Sequence, residues 1–144
     1  MNDSISIINL NKYGDKSIGY LSFFEELKEI PFEIRRVYYT YGVPVETKRG
    51  MHAHKKLKQL LWCPYGEIEF IFDDGNNKKT ILLNSPEKAI ILNKGIWRDM
   101  YWKKEDSVLC VAASDYYRED DYIRDYFEFL RYVKEGYWNN ENKL

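Results

Sequence analysis

The sequence predicts an all-β barrel or sandwich of one domain, closed by a single C-terminal α-helix. Three observations carry this. Short runs rich in β-branched and aromatic residues recur from residue 4 to about residue 114 with turn residues between them. Asp73-Asp74-Gly75-Asn76-Asn77 separates two of these runs with residues that tolerate positive φ. Only near the end does the apolar spacing change from two to three and four.

The strand candidates, in order, are 5–10, 20–25, 32–41, 59–66, 66–74, 78–84, 88–93, 99–102 and 107–114. Evenly spaced short strands favour a barrel or sandwich. After them Tyr122, Ile123, Tyr126, Phe127, Leu130 and Val133 recur at helical spacing, which predicts a helix over about 120–134. Ser114 or Asp115 is a candidate cap. Glu119, Asp120 and Asp121 suit the positive end of its dipole, and Arg131 and Lys134 the other end. The polar tail from Asn139 is expected to be disordered.

Composition narrows the function classes. The chain's 144 residues suit one domain, 1–144, and are too few for two independent cores. Lys and Arg number 22 against 23 Asp and Glu, so no excess positive charge exists for a nucleic-acid backbone or an acidic membrane. Cys63 and Cys110 stand apart in apolar runs and read as reduced core thiols of a cytoplasmic protein. The N-terminus lacks the order of a signal peptide, and no apolar run reaches membrane-spanning length. Thirteen tyrosines in a chain that is 17% aromatic point either to packing and interfaces or to ring stacking on a ligand.

The only two histidines form His52-Ala53-His54. On a strand, His52, His54 and Lys56 share one face, so both imidazoles can enter one cavity. By the same alternation Tyr38 lies on the face of Arg36.

This region resembles the cupin superfamily, whose first motif runs His-x-His, three or four residues, Glu, six residues, Gly. Here His52 and His54 are followed by Gln59 and Gly66, and Glu46 replaces the motif's opening glycine. The second motif, Pro-x-Gly-x-x-His, corresponds to Asn93-Lys94-Gly95-Ile96-Trp97-Arg98, with Arg98 at the histidine. The resemblance implies a double-stranded β-helix, or jelly-roll, over about 4–114. It also exposes the substitutions at the metal positions. Gln59 offers a neutral oxygen and Arg98 a fixed positive charge, so no metal or other cofactor is expected and the imidazoles read as acid–base groups.

Within cupins the chain is similar to the sugar nucleotide 3,4-ketoisomerases that act on dTDP-4-keto-6-deoxyglucose. The residues that carry this are Ile34-Arg35-Arg36-Val37-Tyr38-Tyr39, Arg49 to Leu57, Asp73-Asp74-Gly75, Trp97-Arg98-Asp99-Met100, Ala113 to Tyr117, and Asp121-Tyr122-Ile123-Arg124-Asp125-Tyr126. The resemblance implies metal-free movement of a ketone from C4 to C3 through an enediol, a downstream aminotransferase, a 3-amino-3,6-dideoxy sugar for surface polysaccharide, and a homodimer that exchanges N-terminal strands. His54 is the expected base, His52 a relay or sugar ligand, and Tyr38 a donor to a sugar oxygen. Arg36, Arg49 and Arg98 are expected on the diphosphate or enediolate, with Lys56, Gln59 and Trp97 completing the substrate site. Ile18 stands where the family often has arginine. With Arg98 where many relatives carry histidine, this favours a gluco product. A 3,5-epimerase-like enzyme, a non-catalytic sugar-binding cupin and a metal-dependent dioxygenase are the competing readings.

Overall fold

A computed structural model describes residues 4–139. Residues 140–144 of the expected polar tail lie outside the described part. The strands are β1 Ile5–Asn9, β2 Asn11–Asp15, β3 Gly19–Phe23, β4 Arg36–Thr40, β5 Lys48–His54, β6 Gln59–Tyr65, β7 Ile68–Asp73, β8 Lys78–Leu83, β9 Lys88–Leu92, β10 Trp97–Trp102, β11 Val108–Ala113 and β12 Tyr122–Ile123; the helix α1 is Tyr126–Lys134.

The chain doubles back at the β7–β8 hairpin. β6 therefore meets β9, β5 meets β10 and β4 meets β11. This nesting is that of a jelly roll. It gives two antiparallel five-stranded sheets, β1-β9-β6-β11-β4 and β12-β5-β10-β7-β8. The predicted turn makes the fold-back: Asp74 Oδ1 accepts the amides of Asn76 and Asn77, and Asp73 Oδ1 accepts that of Gly75. Gly75 has φ +92°, and a Cβ there would lie 2.8 Å from Val133 of α1, so the turn is also where the helix docks.

Alternation separates the two faces of each strand. Leu61, Cys63, Phe70, Phe72, Met100, Trp102, Leu109 and Val111 meet between the sheets. Each fully buried large apolar side chain there stabilises by about 1.5–3 kcal/mol. Behind the first sheet, Leu60 and Ala112 pack under Ile30 and Phe32 of the 24–34 segment. Behind the second, Ala53, Trp97 and Ile123 meet Phe129 and Trp138. Cys63 is in the core, whereas Cys110 is half-buried on the outer face of β11.

Two expectations are corrected. The hairpin partner of the 20–25 run is β2, whose polar Asn11, Lys12, Gly14 and Asp15 gave no strand signal. The helix begins at Tyr126, not near 120, because residues 122–123 pair with β5 as β12, and Asp125 supplies the cap by accepting the Glu128 amide at 2.9 Å. Ser114 and Asp115 do other work: Ser114 Oγ accepts the Lys58 amide, and Asp115 holds Arg118. Among the described residues no helix is long and apolar enough to cross a membrane.

Candidate active site

Inward alternation on four strands converges at one end of the barrel. β4 contributes Tyr38, β6 Gln59, β10 Arg98, and β5 His52 and Arg49. Plain alternation would put Arg49 and His52 on opposite faces. A bulge changes this: Arg49 pairs with Met100 and His52 with Arg98, so Gly50 and Met51 together oppose Asp99. The bulge needs φ +88° at Gly50, where a Cβ would meet the Arg98 carbonyl oxygen at 2.8 Å. Arg49 and His52 thus line one cavity of about 240 Å³ with Tyr38 and Arg98.

The hydrogen bonds settle where the imidazole protons are. His52 Nδ1 lies 2.9 Å from the Gly50 carbonyl oxygen, and His54 Nδ1 lies 2.9 Å from Asp121 Oδ2. Both partners only accept, so each Nδ1 donates its proton and each Nε2 keeps a lone pair. The His54 Nε2 is buried and has no partner. Burial, then the nearby Arg98 and His54 charges, push His52 down to about 2. Burial also lowers His54, but Asp121 opposes it and the value stays at about 4. At neutral pH both rings are neutral bases.

Asp121 is the residue that the sequence reading misassigned. Its carboxylate accepts hydrogen bonds from His54 Nδ1 and, at 2.8 Å, from the Lys56 amide, and its carbonyl accepts one from the Lys55 amide. Burial alone would raise its carboxyl; the bonds from His54 and the amides outweigh this and hold it below the usual carboxylate range. Tyr122, also unassigned, lays its ring 4.4 Å from His54 and 5.0 Å from His52. The signal was present in the quoted 121–126 run, but acidic residues before an amphipathic stretch read first as a helix start.

Opposite the histidines runs a buried polar chain. Arg98, 2% exposed, donates through one terminal nitrogen to Gln59 Oε1 and through the other to the Ile96 carbonyl at 3.0 Å, while Gln59 Nε2 donates to the Tyr38 hydroxyl at 2.9 Å. Because Tyr38 accepts from Gln59, its own proton is free for another acceptor. Burial raises the Tyr38 hydroxyl above its ordinary value, so it stays protonated. Arg98 has no carboxylate partner among the described residues, its Nε is unsatisfied, and burial lowers it to about 10. Gln59 therefore positions both neighbours.

Three sequence candidates fall elsewhere. Trp97 points to the opposite face of β10 from Arg98, is 7% exposed and stacks on Tyr126 at 5.2 Å; it anchors α1 and does not line the sugar-sized cavity. Lys56 lies beyond the end of β5, where alternation no longer holds, and is exposed on an adjoining cavity of about 670 Å³. Arg36 and His54 border that adjoining cavity too, and the Arg36 guanidinium lies 5.2 Å from the Tyr38 ring.

A cupin barrel whose would-be metal positions hold two neutral bases, an amide and a buried guanidinium is an acid–base isomerase scaffold. Residues 3–134 match the family described as FdtA: WxcM-like, C-terminal. A protein of Aneurinibacillus thermoaerophilus named TDP-4-oxo-6-deoxy-alpha-D-glucose-3,4-oxoisomerase is 46% identical over 127 residues, covering 88% of this chain and 91% of the relative. The crystal structure of a 3,4-ketoisomerase from Helicobacter canadensis superposes with TM-score 0.86 at 45% identity, over 90% of this chain and 97% of the other. A histidine-to-asparagine mutant of the 3,4-ketoisomerase QdtA from Thermoanaerobacterium thermosaccharolyticum, in complex with TDP-4-keto-6-deoxyglucose, gives TM-score 0.88 at 36% identity, over 92% and 95%. The chain belongs to the FdtA-like family of sugar nucleotide 3,4-ketoisomerases.

Proposed function

We propose that this protein moves the ketone of dTDP-4-keto-6-deoxyglucose from C4 to C3 by proton transfer alone. The observation that carries it is a pair of neutral imidazoles, 4.9 Å apart with their Nδ1 protons engaged and their Nε2 lone pairs left, beside a buried Arg98 bonded to no carboxylate among the described residues. His54 takes the C3 proton, and the electron pair forms the C3=C4 double bond with negative charge on O4. Arg98 stabilises that oxygen, as preorganised donors do for developing anions. Tyr38 protonates O4 with the proton that Gln59 leaves free. His52 then takes the O3 proton and C3 becomes the ketone; in a gluco product H3 and H4 stand on opposite ring faces, so C4 takes its proton from water on the face away from His54, and His54 releases its own proton to water. Transfer from His52 to the Tyr38 phenolate closes the cycle, and C3–H and O3–H have been replaced by C4–H and O4–H. Proton NMR of the protein with dTDP-4-keto-6-deoxyglucose is expected to show a 3-keto product of gluco configuration. Exchange at C3 and C5 without ketone migration would indicate the epimerase reading instead. The product, a ketone beside the position of amination, suits a downstream aminotransferase that makes a 3-amino-3,6-dideoxy sugar for surface polysaccharide. As a nucleotide-sugar enzyme it acts in the cytoplasm.

The reading includes a homodimer with exchanged N-terminal strands. The β2–β3 hairpin pairs with neither large sheet and exposes Tyr13, Tyr20, Leu21 and Ile18, the last at 81%. On the outer face of β4, Val37, Tyr39 and nearby Tyr41 are also exposed, the two tyrosines stacked at 5.7 Å. Such apolar area at a sheet edge needs a cover. Light scattering is expected to give twice the chain mass; a monomer would refute the exchange.

A further inference from the structure

Resting on the ketoisomerase reading, we propose that Trp138 is a positioning residue for His54, fixing the end of β5 that carries the base. The two histidines are not held alike. His52 pairs with Arg98 inside the β5–β10 ladder, and that ladder stops there. His54 lies two residues further on, where the strand partner of β5 is the two-residue β12. Hydrogen bonds from outside the ladder fix the backbone at this point. The Gly95 amide donates to the His54 carbonyl at 2.9 Å, and the Lys55 amide donates to the Asp121 carbonyl at 2.9 Å. The indole Nε1–H of Trp138 donates to the Lys55 carbonyl, also at 2.9 Å, and so holds the peptide that follows the base from a residue 83 positions away.

The end of α1 brings the indole there. The helix closes in a Schellman turn: the amide of Gly136, φ +70°, reaches the Val133 carbonyl at 3.0 Å, and that of Tyr137 reaches the Tyr132 carbonyl at 3.1 Å. The turn sends the chain back beneath β5. Trp138, 5% exposed, packs there with Phe129 and with Ala53, whose side chain faces away from the two histidines that flank it. Gly95 makes the seat. It has φ +78°, and a Cβ there would lie 2.7 Å from Cδ2 of the indole. The ring thus occupies the space of the missing side chain, while Gly95 and the indole N–H hold successive carbonyls at His54 and Lys55. A shift of these peptides would swing the imidazole off Asp121 and off the sugar carbon it deprotonates.

Turnover, calorimetric titration with TDP and nitrogen NMR of the imidazoles, in Trp138→Phe and Trp138→Ala, test this. Phenylalanine keeps most of the ring and loses the donor; alanine also empties the seat. Trp138→Ala is expected to lower kcat by about ten- to a hundredfold, the scale of a misplacement near 1 Å, while TDP affinity stays within about twofold of the wild type. Trp138→Phe is expected to lower kcat by a smaller factor with the same split. In both, the ring nitrogens of His54, assigned against His54→Asn, should shift while those of His52 stay, because His52 is held by the β10 ladder and the Gly50 carbonyl. A core residue without this role would lower stability and leave the folded enzyme at full kcat. Full kcat in both variants overturns the proposal, as do unshifted His54 signals or a loss of TDP affinity that matches the loss of kcat. If Trp138→Ala does not fold, Trp138→Phe decides alone. Wild-type protein without ketone migration would instead sink the ketoisomerase reading, and the imidazole signals then decide the role of Trp138 by themselves.

Discussion

His54→Asn is expected to lower kcat by on the order of 10²–10⁴-fold, the range that a positioned general base contributes, while TDP affinity stays close to that of the wild type. Asparagine is short and uncharged at any pH, so the site keeps its charge and loses only its base. The wild-type pH profile provides a second, independent reading of the same group. In the free enzyme burial lowers His54 to about 4, so the base remains unprotonated down to that pH and kcat/KM should hold until its acid limb there. Bound diphosphate adds negative charge near a ring that Arg98 and Arg36 currently disfavour as a cation. This raises the pKa in the complex, and the acid limb of kcat should lie at higher pH than that of kcat/KM. Coincident limbs near pH 6.5 would remove His54 from the role of base, as would retained turnover in His54→Asn.

The barrel was legible because burial on both sheet faces leaves alternation and turn chemistry in the sequence: Phe70 and Phe72 point inward at spacing two, and Asp73 to Asn77 makes the hairpin where the nesting begins. The functional positions followed the same rule only while the strands stayed regular. His52, Tyr38 and Arg98 share one lining with Gln59 bonded to the last two, but Arg49 reaches it through a bulge, which a period-two argument cannot contain. Trp97 was misplaced for the converse reason: a large aromatic next to Arg98 looks like a ligand platform, yet strict alternation sends it under α1. Asp121 was the deepest miss, because its hydrogen bond to His54 joins residues 67 apart in the chain. An acidic triplet before an apolar periodic stretch has a local explanation, and only tertiary placement favours the distant one.

A double variant, Arg98→Met with Gln59→Leu, is expected to be inactive and at the same time more stable than the wild type. Among the described residues Arg98 is a buried cation bonded to no carboxylate, and its fall by burial from 12.5 to about 10 corresponds to roughly 3 kcal/mol lost by its charged form. Replacing buried ionic groups by apolar side chains of similar size has been worth about 1–4 kcal/mol in such cases, when no partner is stranded. That condition is why the pair must change together; the Tyr38 hydroxyl, which loses Gln59, lines the cavity and can bond water instead, while the Ile96 carbonyl loses Arg98 and offsets part of the gain. Arg98→Met alone strands the Gln59 oxygen, at a cost of about 1–3 kcal/mol, and should melt below the double variant. Turnover should fall by at least about 10²–10³-fold, because the donor to the developing O4 charge is gone. Denaturant unfolding and the NMR assay check the two halves separately. A double variant less stable than the wild type would show that Arg98 is held by the fold for its own stability, and one that retains turnover would show that the enediolate does not need it. With both results as expected, the buried guanidinium is a strain that the barrel tolerates because its counter-ion arrives only with the reaction.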